Sequence, residues 1–167
     1  MSVRLSLSSG EAVLPKRSAG ILMYKRTGEA LQVLLVHPGG PFWAKKDAGA
    51  WSIPKGEYET GEEPLAAARR EFVEELGTMP QGECHALGEV TQRGGKIVSG
   101  FALEGDFDVT AIKPGLFETE WPPKSGRMQS FPEIDRAAWF APDEARVKIL
   151  ESQLEFIDRL LALLKKA

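Results

Sequence analysis

The segment that constrains this chain most is Pro64–Leu76, a thirteen-residue stretch with a proline suited to a first helical turn and Gly77 suited to a helix end. Wound at about 100° per residue, it gathers Leu65, Phe72 and Leu76 on one side with Val73 near them, a face able to pack on a sheet. Glu71, Glu74 and Glu75 fall together on the other side, at i, i+3 and i+4, with Ala67 and Ala68 one turn earlier leaving that side uncrowded. A solvated acidic face is the plain reading. Against it, Glu71 and Glu75 are a like-charge i,i+4 pair, which costs a few tenths of a kcal/mol unless neutralised. Glu74 and Glu75 also lie in the last turns, where the helix dipole disfavours anions. A glycine-bearing loop, Pro54-Lys55-Gly56, and a further acid, Glu62, come just before the helix. Hard oxygen ligands around a divalent cation would relieve the repulsion, and oxygen chemistry points to Mg²⁺ or Mn²⁺. From the residues alone, solvated face and metal site both stand.

Around this helix the chain reads as α+β. Ser18–Tyr24 and Leu31–His37 are β-rich runs turning at Thr27-Gly28-Glu29-Ala30, and Cys84–Gln92 and Lys96–Leu103 form a second hairpin turning at Arg93-Gly94-Gly95. Trp51–Ile53 is a short strand stopped by Pro54, and Ile134–Phe140 is a last strand. Pro38–Ala50 is a long loop holding Gly, Pro, aromatics and lysines, the kind of segment that carries function. Lys113–Pro132, rich in Gly and Pro, reads as another irregular loop. Val147, Leu150, Leu154, Ile157, Leu161 and Leu164 recur at alternating steps of three and four, predicting one amphipathic C-terminal helix and two helices in all. No repeat or charge block divides the 167 residues, which read as a single domain, 1–167.

Composition narrows the function classes. A net charge of −3 argues against a nucleic-acid partner, which usually meets a basic surface. The apolar runs are too short for a membrane span, and Met1–Pro15 lacks the continuous apolar stretch of a secretory signal. One cysteine, Cys84, cannot form an internal disulfide and suits a reducing cytoplasm; it reads as a small buried hydrophobe. His37 and His85 are isolated, with no nucleophile arrangement around them. Trp51 and Trp139 read as sheet packing.

The acidic helix also carries a resemblance. Gly56, five residues, Glu62, seven residues, then Arg70-Glu71-Phe72-Val73-Glu74-Glu75-Leu76-Gly77 resembles the Nudix box, G-x5-E-x7-R-E-U-x-E-E-x-G-U, with U a bulky apolar residue. Thr78 departs from the final U, at the helix exit and away from the acids. The resemblance implies an α/β/α sandwich with a mixed sheet, and a Mg²⁺-dependent hydrolase (Mn²⁺ substituting) that cleaves a phosphoanhydride in a small-molecule nucleotide. It implies Glu74 and Glu75 as main metal ligands and Glu71 as ligand or general base. Glu62 would support the metal shell and the Lys55 backbone carbonyl would add a ligand. Arg70 would orient the glutamates through charge-assisted hydrogen bonds. Related enzymes add a glutamate from a downstream loop; Glu133 is the candidate here, ahead of Glu118, Glu120 and Asp108, with a solvated loop carboxylate as the plain alternative.

In the long loop, Lys45 and Lys46 could gather substrate phosphates or simply be solvated. Phe42 and Trp43 could stack on a base or anchor the loop. The lead-in Trp51-Ser52-Ile53-Pro54-Lys55-Gly56-Glu57 looks like that of diadenosine-polyphosphate and nucleoside-triphosphate members. Arg93, Gly94 and Gly95 stand where a diadenosine-polyphosphate tyrosine or an ADP-ribose proline would mark the substrate. The expectation is a nucleoside or dinucleoside polyphosphate, with ADP-ribose or a nucleotide sugar next, capped RNA third, and a non-catalytic nucleotide-sensing module as the different class.

Overall fold

A computed structural model describes residues 14–166; most of the segment read for a leader, Met1–Pro15, lies outside the described residues. The elements run β1 (Arg17–Thr27), β2 (Ala30–Pro38), β3 (Lys55–Glu57), α1 (Pro64–Leu76), β4 (Cys84–Thr91), β5 (Ile97–Glu104), β6 (Leu116–Glu120), β7 (Met128–Pro132), β8 (Ile134–Phe140), α2 (Pro142–Lys148) and α3 (Leu154–Lys166). The main sheet orders β4-β5-β1-β2-β8, with β3 also on β1. It is mixed: β1 and β5 are parallel, the other pairs antiparallel.

Strand β1 explains the layering. Ser18 to Tyr24 are all buried, the mark of a strand covered on both faces. Ala19, Ile21 and Met23 pack with Ala67, Ala68, Phe72 and Leu76 of α1. Leu22 and Tyr24 face the other way, into a second core with Trp51, Ile53 and the α3 residues Phe156, Ile157 and Leu160. Helices on both faces of a mixed sheet give the expected α/β/α sandwich. No helix among the described residues is long and apolar enough to cross a membrane.

The sheet opens where the site lies. β1 pairs with β2 only from Tyr24↔Val33 to Thr27↔Ala30, around the Gly28-Glu29 turn. Beyond that the strands part and residues 51–57 fill the gap. Ser52 exchanges hydrogen bonds with Val36 (2.8 and 3.0 Å), and the Ile21 N–H donates to the Pro54 carbonyl (3.2 Å). β3 then pairs with Ser18–Gly20. This close approach needs Gly20, since a Cβ there would sit 2.5 Å from the Pro54 carbonyl oxygen and 2.6 Å from the Lys55 Cβ.

Several expected elements differ. The short strand lies at Lys55–Glu57; Trp51 and Ser52 form only isolated bridges, because Trp51 pairs with Ile149 and Ser52 with Val36. Lys113–Pro132 is not irregular throughout: it folds into a two-stranded ribbon, Leu116↔Pro132 to Glu120↔Met128, in which Pro122, Pro123 and Gly126 serve the hairpin turn. The C-terminal stretch is two helices rather than one. Ile149 and Leu150 are extended between α2 and α3. The Leu150 N–H donates to the Trp51 carbonyl and Ile149 is buried, a tertiary pairing that outweighs helical periodicity. Val147, read as part of the apolar stripe, is 61% exposed. Among the described residues there are therefore three α-helices. Trp51 is buried in the core; Cys84 is half-buried at its edge.

Candidate active site

Helix α1 runs between the ends foreseen for it, with Pro64 in its first turn and Gly77 at φ 88° closing it by a bond from its N–H to the Val73 carbonyl (2.7 Å). Its acid face is placed differently from the simple winding. Ala67 and Ala68 are fully buried against the sheet and Glu71 is only 8% exposed. Glu71 and Glu75 therefore border the packing face instead of opposing it, and only Glu74 of the three is exposed. At 100° per residue Glu75 lies about 60° from Phe72, close enough to be drawn beneath the helix once Phe72 docks.

Arg70 is the hub of this face. Its guanidinium donates two 3.0 Å bonds to Glu62, one of 2.5 Å to Glu71 and a long one of 3.4 Å to Glu74. This fork-to-carboxylate geometry fixes the acids relative to one another, and the pairing with Glu62 and then Glu71 makes the guanidinium harder still to deprotonate. Glu71 lies directly on the Gly56 backbone: a Cβ at position 56 would fall 1.9 Å from its Oε1. Among the described residues no three Asp, Glu, His or Cys side chains already converge as a finished metal site, since Arg70 holds three of the acids.

Glu75 is where the site is least satisfied. Its Oε1 is buried without a hydrogen-bond partner among the described residues. Burial, Glu133 and Glu71 push its carboxyl up to about 8, against the pull of Lys55. Burial and Glu74 also raise Glu71, which Arg70 opposes, and burial followed by Glu74 raises Glu133. Burial, then Lys96, pushes the Lys55 ammonium down. An orphaned buried carboxylate oxygen, three acids raised by burial and acidic neighbours, and a glycine that leaves Glu71 room are what a divalent-cation site needs. The residues present fit one.

A cleft of about 210 Å³ runs from these groups, lined by Lys55, Glu75 and Glu133 together with Val36, Ile53, Ile134, Leu150 and Trp43. A second space of about 680 Å³ shares Trp43 and Leu150 with it and is lined by Gln92, Arg93 and Lys96. The structure thus brings Glu133 to Glu75 from the junction of β7 and β8, tied by bonds between its backbone and those of Gly115 (2.8 Å) and Gly39 (3.0 Å). Glu62, Glu71 and Glu74 stand beside the cleft without lining it. In the long loop, Trp43 lines both spaces, whereas Phe42 packs edge-on against Trp121 at 5.3 Å, as a loop anchor would. Lys45 and Lys46 are exposed and line neither space; the Lys46 ammonium lies 5.2 Å from the Trp43 ring centre.

Sequence reasoning singled out Lys55 for its carbonyl and did not foresee its buried ammonium. It read Arg93 only as part of a turn, passed over Lys96, and left Gln153 unmentioned. Gln153 is fully buried, accepting from the Ile53 N–H and donating to Ser52 Oγ, both at 3.0 Å, and so fixes the cleft wall. Gln153 had no local signal, because its partners are about a hundred residues away.

Residues 14–160 match the family model described as NUDIX domain. A 50-residue stretch is 42% identical to the RNA pyrophosphohydrolase of Francisella tularensis subsp. mediasiatica (strain FSC147), covering 29% of this chain and 32%, about a third, of that protein. Among solved structures, the NUDIX domain of Shewanella oneidensis NrtR complexed with ADP ribose superposes with a TM-score of 0.64 at 13% identity, over 98% of this chain and 99% of that one. A binary complex of the C. elegans Ap4A hydrolase gives 0.60 at 19% identity, over 91% and 99%. At such identities these two likenesses establish the fold.

Proposed function

The chain belongs to the NUDIX domain family, and from that premise we propose that it hydrolyses a phosphoanhydride bond in a nucleoside diphosphate-linked substrate, with a nucleoside or dinucleoside polyphosphate preferred. The observation that carries this reading is the orphaned Glu75 oxygen beside Glu133 and Lys55 at the head of a cleft. Glu71, Glu74 and Glu75, with Glu62, Glu133 and the Lys55 carbonyl in support, would hold Mg²⁺ or Mn²⁺. Such a cation, when bound, neutralises phosphate oxygens and makes water acidic enough to attack at neutral pH. Arg70 keeps Glu62 and Glu71 aimed and touches no substrate. Glu71 or Glu133, whichever faces the attacking water, takes its proton. The Lys55 ammonium pairs with a phosphate oxygen, Trp43 offers a face to the base, and the apolar walls exclude bulk water.

A panel of nucleoside triphosphates, dinucleoside polyphosphates, ADP-ribose and triphosphorylated RNA, each incubated with Mg²⁺ and resolved by chromatography, tests this. Preferred cleavage of a nucleoside or dinucleoside polyphosphate is expected. ADP-ribose is the second reading, favoured by the ligand in the NrtR domain's complex; turnover of ADP-ribose alone would install it. Tight binding without cleavage of any member would make the chain a nucleotide-sensing module.

Two variants extend the test. Gly56→Ala is expected to lower kcat about 100-fold, the cost of displacing a reacting group by an ångström, because the new methyl must push Glu71 away. Unchanged kcat with retained circular dichroism would remove Glu71 from the site. Replacing Lys45 and Lys46 together by Ala is expected to raise KM about two- to fivefold, the range of exposed ion pairs worth up to ~1 kcal/mol, most for long phosphate chains. The effect shrinks in high salt, and an unchanged KM across a dinucleoside polyphosphate series would return both lysines to plain surface.

A further inference from the structure

We propose that His37 is a positioning residue that latches the 38–50 loop and thereby sets Trp43 over the substrate cleft. His37 ends the straight part of β2, directly before the loop, and is fully buried. Its Nδ1 bonds Asp135 Oδ1 at 2.8 Å and its Nε2 bonds the Lys46 carbonyl oxygen at 2.6 Å. Both partners are acceptors: a ring with one N–H donates to one of them at a time, and a doubly protonated ring donates to both. The ring reaches across the loop to its far end and grips backbone, a contact that holds whatever side chain position 46 carries.

The grip is transmitted by short steps. The Lys46 N–H donates to the Trp43 carbonyl (2.9 Å), so the residue His37 holds also fixes the turn that presents Trp43. Trp43 lines both the cleft of Glu75 and Glu133 and the adjoining space of Arg93 and Lys96. Neighbouring bonds fasten the loop exit: Trp51 Nε1 donates to Asp47 Oδ1 (2.8 Å), Lys148 pairs with Asp47, and the Gly49 N–H donates to the Val147 carbonyl (2.9 Å). Asp135, which orients His37, is itself steadied by Arg136 at 3.5 Å. Among the described residues, the hydrogen bond that ties segment 43–46 to the sheet is the one from His37, and the segment's own turn is the other that holds it. A fixed loop lowers the ordering cost of substrate binding, so the latch acts on affinity.

The latch rests on the proposed hydrolytic reading for its effect on substrate but not for its effect on the loop, and the test separates the two. The peptide bonds after Lys45 and Lys46 are trypsin sites in exposed chain, and the second of them contains the carbonyl that His37 holds. Native-state trypsin cleavage at these bonds is compared for wild type, His37→Phe, Asp135→Ala and Asp135→Asn. His37→Phe keeps a ring and loses both ring nitrogens; cleavage is expected to accelerate about tenfold, the ratio that losing one such hydrogen bond produces. Asp135→Ala moves in the same direction by less, and Asp135→Asn, which keeps an acceptor for Nδ1, returns to the wild-type rate. KM for the substrate found in the panel rises about tenfold in His37→Phe while kcat stays within about twofold, a split that general destabilisation does not produce. Wild-type cleavage rates in folded His37→Phe overturn the latch; should that variant not fold, wild-type rates in Asp135→Ala do so. Faster cleavage with an unchanged KM overturns the role in substrate positioning. A wild-type protein that cleaves no member of the panel defeats the hydrolytic reading, while the proteolysis still decides whether His37 holds the loop.

Discussion

Glu75→Gln is expected to lower kcat by about 10²- to 10⁴-fold, the range of losing a positioned proton acceptor or the cation it helps hold, and at the same time to stabilise the metal-free protein at alkaline pH. The second half follows from linkage. In the unfolded chain the Glu75 carboxyl titrates near its ordinary value of 4.5, and in the folded protein burial and its acidic neighbours move it to about 8. Below the lower value both states hold the proton and the group has no effect. Between the two, the unfolded state has given up its proton while the folded state keeps it, so each rise in pH disfavours folding. Above the upper value the penalty is complete. Glutamine cannot ionise and escapes it. In chelator, the variant is expected to melt about 3 °C or more above wild type at pH 8, the shift that ~1 kcal/mol produces in a chain of this size, and level with it at pH 4. Glu74→Gln lowers kcat as well but brings no such gain, because Glu74 is exposed and already shares Arg70. Full turnover in both variants would leave the helix face as solvated surface; equal melting at both pH values would remove the buried charge from Glu75.

Removal of divalent metal is expected to have an effect at least as large: excess EDTA abolishes turnover, and Mg²⁺ or Mn²⁺ restores it. The cleft's own cations cannot replace the metal. Lys55 offers a single charge that burial, then Lys96, make easier to lose, and Lys96 is already paired with Glu57 at 3.1 Å. A polyphosphate brought against Glu71, Glu75 and Glu133 without a divalent ion faces carboxylates with one buried ammonium between them. Turnover at an undiminished rate in EDTA would exclude metal-assisted hydrolysis.

What could be read from the residues follows the range of the forces involved. Helix α1 was legible to the residue, because Pro64 and Gly77 act locally, and β8 and both hairpins were legible because period and turn chemistry coincide in them. The ribbon β6–β7 was not, since its Gly- and Pro-rich sequence shows no clear period, and Phe117, paired with Phe131 inside the ribbon, packs toward Gly40 across the fold. The break between α2 and α3 was hidden for the same reason: Leu150 keeps the helical apolar rhythm while the backbone of Ile149 and Leu150 pairs with Trp51. Within the candidate site, spacing grouped Glu62, Glu71, Glu74 and Glu75, the resemblance added Arg70, and the structure ties Glu62, Glu71 and Glu74 together through Arg70. Spacing could not show that Glu75 turns under the helix toward Lys55, because that depends on how deeply Phe72 and the two alanines dock. Lys45 and Lys46 were attractive in sequence for their charge; Lys55, Arg93 and Lys96 are the cations that the fold brings to the cleft walls.

Mn²⁺ binding followed by electron paramagnetic resonance, in wild type and in Glu75→Gln at neutral pH with no nucleotide present, examines the acidic helix without relying on any substrate. Wild type is expected to bind Mn²⁺ in competition with Mg²⁺, and Glu75→Gln, still folded by circular dichroism, to bind at least about tenfold more weakly for want of a ligand charge. Equal Mn²⁺ affinity in the two proteins would show that the cation, if any, sits elsewhere and that Glu71, Glu74 and Glu75 are not a metal site.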